Sequence, residues 1–544
     1  MAAAERQLLP VASPAEARLA LPDGVELVSD IWRPEAPGRY PVMLMRQPYG
    51  RKIASTVVLA HPAWYAAHGY IVVVQDCRGR GDSGGAFRPL RDDAEDGAAT
   101  LAWAADLPGC DGRVATYGFS YHAVTQLLAL AGAGKAGSKR PDAMVPIMGS
   151  WRIRDDWAFE GGAFVHAVNQ GWACQMAGEQ ARRAGDLDAF AALGTGVPQA
   201  DLLGRYAAHT HYGDWLADEP ATWRAMAPAA ALREDPLDVP GFFIGGWLDG
   251  MLNGTLDAHA AFDRAAASPQ RLLLGPWTHI PWGRRVGGLD LGSEASSPVD
   301  PAIVAFLDQV LKGIGEPGPR SRVFDIGGRR WRNRRHQGDG RLSLHLASGG
   351  LAAPTSTDGR LEEEPGPTGV DRLVHDPWRP APSVGGHWAP TPGHVDRAAV
   401  DDRSDVAVYT SRPLDRPVLL LGEVAAELWV DCDRPSHDLA CTLSMLHPDG
   451  RAITLSCGYL RVPDSHAPGP RRIVMRATCS TLAAGTALRL SIQAAASPAF
   501  AVNPGTGERP ETAHAATALV ITLAIAHGAA TPSRLILSTS DLDA

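Results

Sequence analysis

RVATYGFSYHAVTQLLALAGAG, residues 113 to 134, is the stretch on which the reading of this chain turns. Its first part is apolar and β-rich, as a buried strand requires. Gly118-Phe119-Ser120 follows, and from Tyr121 apolar residues recur at helical spacing until glycine ends the run. A strand that turns sharply into a helix lifts a serine side chain clear of the sheet and aims the next backbone N–H at the same space. Ser120 is therefore a candidate nucleophile.

On either side, PVMLMRQPY (41–49), YIVVVQDCRG (70–79) and AMVPIMG (143–149) read as strands separated by helical runs, which predicts a mostly parallel sheet covered by helices. From about Trp151 to Pro236 the strand pattern stops and Trp, Phe, Ala and charged residues mix in helical fashion. That interruption predicts an inserted helical cap. GFFIGGW (241–247) and RLLLGPW (271–277) then resume the sheet. Beyond about residue 318 proline, glycine and short alternating runs dominate, including PVLLLGEVAAELWVDC (417–432), LACTLSMLHPDG (439–450), AITLSCGYLRV (452–462) and ALRLSIQAA (487–495). They predict an all-β sandwich or jelly roll. The expected organisation is an α/β core (1–151 and 236–317), a helical cap (152–235) and a C-terminal β domain (318–544).

A chain of 544 residues exceeds what one core usually organises. Its net charge of −9 argues against a general nucleic-acid binder, and the local run Arg329, Arg330, Arg332, Arg334 and Arg335 reads as a solvated loop. The first residues lack the pattern of a secretory signal, so export is not expected. Seven cysteines without CxxC spacing fit neither a disulfide framework nor a zinc site, and the simplest account is reduced thiols in a cytoplasm. ALVITLAIA (518–526) is too short to span a membrane and suits a buried strand.

A serine alone is a poor nucleophile. It needs a base, and the base needs a third group to hold its tautomer and stabilise the imidazolium. Asp249 in GGWLDG and His279 in GPWTH each lie just past the carboxyl end of an expected strand, the edge of a parallel sheet where catalytic groups gather.

At these residues the chain resembles the cocaine esterase-like (CocE/NonD) serine hydrolases, related to Xaa-Pro dipeptidyl-peptidases and α-amino acid ester hydrolases. The matching stretches are DGVELVSDIWRPEAPGRYPVMLMRQPYGR (23–51), VVVQDCRGRGDSGG (72–85), GCDGRVATYGFSYHAVTQ (109–126), GGWLDG (245–250) and GPWTH (275–279), with SVGG (383–386), VYTSRPL (408–414), HPDGRA (447–452) and FAVNPGTGE (500–508) in the tail. The resemblance implies an α/β-hydrolase core with an inserted helical cap and a C-terminal all-β jelly-roll domain. It implies Ser120, Asp249 and His279 as a triad, and an oxyanion hole made by the Tyr121 backbone N–H and the Tyr49 phenol. Without it Tyr49 reads as a loop tyrosine.

The resemblance also puts Trp172, from GGAFVHAVNQGW (161–172), over the substrate pocket with Met251 and Leu252 near it and His387 or Trp388 approaching from the β domain; core packing is the alternative for Trp172 and Met251. His122 departs from the family pattern, either covering the elbow's helix or adding a second ionisable imidazole. Relatives that act on α-amino acid esters carry carboxylates two and three residues after the triad aspartate, where Met251 and Leu252 stand here. Asp155 and Asp156 could supply only part of such a cluster, so the expected acyl group is uncharged, hydrophobic or aromatic. The implied partner is a small-molecule ester or amide, with no metal, organic cofactor, nucleic acid or membrane, and a homodimer is left open. Two rivals stand beside hydrolysis: an acyltransferase or amide-forming enzyme on the same scaffold, and a non-catalytic binding protein on a relic core.

Overall fold

The computed structural model describes residues 8–542 apart from 53–56, 196–203, 266–267 and 466. The first layer is a ten-stranded sheet. Its strands are β1 (Ala15–Ala20), β2 (Glu26–Trp32), β3 (Tyr40–Gln47), β4 (Ile71–Asp76), β5 (Cys110–Phe119), β6 (Ala143–Ile147), β9 (Gly241–Leu248), β10 (Gln270–Thr278), β13 (Ser321–Asp325) and β14 (Arg330–Arg332), with two-residue hairpins β7–β8 (Phe159–Glu160, Ala163–Phe164) and β11–β12 (Arg285–Val286, Leu289–Asp290) outside it. The sheet order is β1-β2-β4-β3-β5-β6-β9-β10-β13-β14. From β4 to β13 every pairing is parallel, and only the edges run antiparallel. Strands β4, β9 and β10 are buried along their whole length, which is why their sequences are nearly continuous apolar runs rather than alternating ones.

Helices α1 (Pro62–Ala67), α2 (Asp93–Ala105) and α3 (Tyr121–Ala136) follow β3, β4 and β5. Helices α2 and α3 approach closely because Gly97 and Gly132 stand at their crossing: a Cβ on Gly132 would lie 1.9 Å from the Ala94 carbonyl oxygen. Between β6 and β9 lie the β7–β8 hairpin, the helix α4 (His166–Arg183) and shorter helices up to Ala231.

The C-terminal part is β-rich, its eleven strands hydrogen-bonded into one sheet. Its longest strand, Val418–Cys432, pairs with Gly469–Leu482 and changes register at Gly422. Inside it Leu344, Leu428, Ile473, Leu490 and Leu523 share a core. Leu419, Leu421 and Cys479 instead join the core around the first sheet. The resulting junction is held by buried Asp325, which accepts from the Thr481 N–H (2.7 Å) and pairs with Arg332 (2.9 Å).

Past the expected boundary at 317, β13 pairs with β10 and carries β14 with it. Two expectations need correction. The arginine run is not a solvated loop: Arg330–Arg332 is an edge strand, and Arg332 and Arg334 donate to the Leu542 and Asp541 carbonyls. The segment 152–235 is not wholly helical, because β7–β8 interrupts it. Among the described residues no helix is long and apolar enough to cross a membrane; of the 518–526 stretch, Leu519 and Val520 are exposed and residues 521–526 belong to the strand Ile521–His527, whose alternate residues are buried.

The close approach of β9 to β10 depends on Gly246, where a Cβ would meet the Trp277 carbonyl oxygen at 2.3 Å. Gly246→Ala should therefore cost about 1–3 kcal/mol, in the range of core overpacking. An unchanged urea midpoint would show that the strands can part to admit the methyl group.

Candidate active site

Ser120 sits between β5 and α3 at φ 61°, ψ −126°, a backbone conformation that costs a non-glycine residue about 1–3 kcal/mol. Its N–H donates to the Ile147 carbonyl (2.8 Å), pinning the turn to β6. Gly118 (φ 139°) makes the turn sterically feasible, since a Cβ there would come within 2.6 Å of the His122 Cβ.

Asp249 follows β9 and is fully buried, while His279 follows β10. The His279 ring bridges the other two side chains, with Nδ1 2.8 Å from Asp249 Oδ1 and Nε2 3.0 Å from Ser120 Oγ. With Nδ1–H donating to the carboxylate, Nε2 is left to accept the serine proton.

Tyr49 follows β3 on a loop fixed from several sides. Its N–H donates to Gln47 Oε1 (2.7 Å), and Gln47 donates to Asp76 (3.2 Å), as do the Arg51 N–H (2.6 Å) and the Arg51 guanidinium (2.7 Å). Fully buried Arg80 donates to the neighbouring Pro48 carbonyl (2.7 Å). Burial pushes the Tyr49 phenol well above its ordinary value, so it remains a donor. Tyr121 begins α3, where backbone N–H groups have no intrahelical acceptor. Its phenol is bound elsewhere, donating to Asp93 (2.7 Å) and accepting from the Leu90 N–H (2.9 Å).

Trp172 and Met251 both lie in an aromatic cluster with Trp157, Phe159, Trp215 and Trp223, against which Tyr49 packs. The Trp172 ring packs at a tilt against Trp157 (4.7 Å between centroids) and His211 (4.0 Å). Leu252 does not join them: it is fully buried in the core of the first sheet against Gly245, because it opens the next helix with its side chain toward the sheet. His387 and Trp388 come from the C-terminal part and both donate to Glu160 (2.7 and 2.6 Å), with the Trp388 ring lying over Gly250 beside Asp249. Glu160 and Arg476 carry no recognisable sequence motif, and Arg80 lies within the VVVQDCRGRGDSGG stretch (72–85); the roles of all three arise from contacts between segments distant in the chain.

His122 is 1 % exposed between Tyr49 and Phe119, and neither ring nitrogen finds a partner. Burial lowers its pKa to about 3. Asp155 pairs with Arg154 (2.8 Å), and Asp156 accepts from the Trp151 and Arg152 N–H groups (3.0 and 2.5 Å). Burial raises Asp156 to about 6. Among the described residues no group of three His, Cys, Asp or Glu side chains is arranged to hold a metal ion.

A parallel sheet with a serine on a strained turn and an imidazole between it and a buried carboxylate defines a serine hydrolase of the α/β class. Residues 23–281 match the X-Pro dipeptidyl-peptidase (S15 family) model, and residues 316–536 match the X-Pro dipeptidyl-peptidase C-terminal non-catalytic domain. The chain is 32 % identical to the cocaine esterase of Rhodococcus sp. (strain MB1 Bresler) over 478 residues, 81 % of each protein. It belongs to the cocaine esterase-like (CocE/NonD) family and is a carboxylic ester hydrolase. In fold it is similar to an aminopeptidase from a marine sediment Thaumarchaeota archaeon (TM-score 0.79, 21 % identity, 97 % of this chain and 96 % of that one). It is likewise similar to an α-amino acid ester hydrolase (TM-score 0.77, 21 % identity, 99 % and 98 %).

A histidine buried neutral opposes folding wherever the unfolded chain would protonate it, so its cost is absent above pH about 6.5 and grows as pH falls toward about 3. His122→Leu should stabilise the protein most at acid pH, by about 2 kcal/mol more at pH about 5 than at pH about 7.5. Parallel denaturation curves for the two proteins at both pH values would show instead that His122 is solvated.

Proposed function

We propose that the chain cleaves an ester or amide of a small, uncharged hydrophobic or aromatic acyl group through an acyl-enzyme on Ser120. The observation that carries this reading is the hydrogen-bonded chain Asp249–His279–Ser120. Ser120 Oγ attacks the carbonyl carbon while His279 Nε2 takes its proton. The same imidazolium returns the proton to the leaving alcohol or amine, and water activated by His279 discharges the acyl group. Asp249 holds the tautomer and offsets the imidazolium charge. The Tyr121 N–H and the Tyr49 phenol donate to the developing alkoxide, one such donor being worth about 3 kcal/mol of barrier.

The segment after β6 acts in this reading as a helical cap whose Trp157, Trp172 and Trp215 enclose the acyl group with Met251. The C-terminal domain is a jelly roll closing the other side. Asp155 and Asp156 are committed to Arg154 and to backbone N–H groups, which leaves a substrate ammonium without the paired charges its desolvation demands. Seven free thiols fit a reducing, cytoplasmic setting.

Ser120→Ala should fold normally and lose both turnover and the mass adduct of a fluorophosphonate probe; retained turnover would overturn the nucleophile assignment. Asp249→Asn favours the wrong tautomer and should lower kcat by about 10⁴. Tyr49→Phe should lower kcat by about 10²-fold with little change in KM, since the phenol acts in the transition state. Between matched esters of phenylacetic acid and phenylglycine, kcat/KM should favour phenylacetate where the amine is protonated. A preference for phenylglycine lost in Asp155→Asn or Asp156→Asn would place the enzyme with the α-amino ester hydrolases instead.

A further inference from the structure

Glu160 takes no part in that reaction, yet this buried carboxylate gathers three donors from the C-terminal domain on Oε2 alone: His387 Nε2 (2.7 Å), Trp388 Nε1 (2.6 Å) and Arg476 Nη2 (3.0 Å). It stands on the β7–β8 hairpin, which is itself clamped to that domain. The Arg461 N–H donates to the Gly161 carbonyl (2.8 Å), and a Cβ on Gly161 would lie 1.9 Å from the Tyr459 carbonyl oxygen.

The same Arg476 Nη2 donates to the carbonyl of Gly250 (2.8 Å), the residue after Asp249. Trp388 covers Gly250 so closely that a Cβ there would meet its ring at 2.1 Å. Among the described residues Asp249 Oδ2 has no hydrogen-bond partner, leaving Oδ1 to His279. With no second tether on the carboxylate, its direction is set by the backbone of residues 249 and 250.

We propose that Glu160, His387 and Arg476 form an interdomain latch that positions the Asp249 loop, so that the C-terminal domain takes part in aligning the triad. The three are positioning residues, acting through the Gly250 carbonyl, and the inference rests on Asp249 being the triad acid. The latch is charged. Burial alone would raise Glu160, but His387 and Arg476 outweigh it and bring it down to about 2. Burial also works to lower His387, but Glu160 overcomes it, against the opposing charge of Arg476, and raises it to about 9. Besides Glu160 and Arg476, the titratable group facing His387 is the Cys457 thiol, 3.6 Å from Nδ1. The stability contributed by ionised His387 is thus complete below pH about 6.5 and lost as pH rises through about 9.

The test begins with Asp249→Asn. If it leaves kcat within about tenfold, the triad reading fails on its own account, because a true triad carboxylate is worth far more. If kcat collapses, Arg476→Met is measured alone and in the Asp249→Asn background. The expected result is a kcat lower by about tenfold to a hundredfold at nearly unchanged KM, with that loss largely absent in the double variant. Arg476→Lys, which keeps the charge but reaches only one of its two acceptors, should fall between and serves if Arg476→Met does not fold. In the pH profile of kcat, Glu160→Gln should bring the alkaline fall of the wild type toward neutral pH, and His387→Gln should remove it. Losses that multiply with Asp249→Asn, or a lower thermal midpoint with unchanged kcat and pH profile, would overturn the latch and leave only a structural brace.

Discussion

A serine held at φ 61° has to be over-determined by its surroundings, and the rest of the fold can be understood as what holds it. Strand β5 is paired by β3 between Cys110 and Thr116 and by β6 from Ala115 to Phe119. On the helical side the Ser120 carbonyl accepts from the N–H groups of Ala123 (2.9 Å) and Val124 (3.3 Å). A central strand cannot shift to relax the turn without breaking two ladders, so strain of this size persists. The same parallelism decides where everything else falls. Tyr49, Ser120, Asp249 and His279 follow the carboxyl ends of β3, β5, β9 and β10, which puts all four at one edge of the sheet.

Three buried carboxylates hold this frame where segments meet. Asp76 ties the Tyr49 loop to Arg51, Asp325 joins the two sheets, and Glu160 gathers the C-terminal donors. An ionised carboxylate away from water is tolerated only when several donors satisfy it, and each of these has at least three. Removing one donor leaves a buried charge short of a partner, so such junctions behave as all-or-none contacts. At such a junction β13, which ends in Asp325, is part of both the first sheet and its contact with the second.

What was legible in the sequence was what repeats along it. Apolar runs fully buried on both faces gave β4, β9 and β10 away, and the glycine-flanked turn at Ser120 marked the elbow. The edge strands β1 and β14, and β2 beside β1, were missed because charged and polar residues interrupt their pattern, as in AEARLA, ELVSDIW and RWR. Leu252 and Met251 illustrate the limit at the site itself. They are consecutive, yet helical geometry turns one into the sheet and the other into the aromatic cluster, a distinction that position relative to Asp249 could not supply. Glu160 had no local signal at all, since its three donors lie 227, 228 and 316 residues away in the chain.

The charges around the proposed acyl pocket have a consistent sign. Burial keeps His122 and His211 neutral and the Tyr49 phenol protonated. Behind Tyr49 stands Arg80, fully buried over the Phe87 ring and without a carboxylate at ion-pairing distance among the described residues. Burial lowers it only to about 10, so it remains a cation. In a low-dielectric setting a fixed positive charge near the oxyanion donors favours negative charge as it develops and resists a second cation. Under the proposed function a substrate ammonium would then meet an uncompensated guanidinium as well as the loss of its own hydration, whereas a neutral aromatic acyl group would meet the apolar surface of the Trp157 and Trp172 cluster until its carbonyl oxygen begins to carry charge.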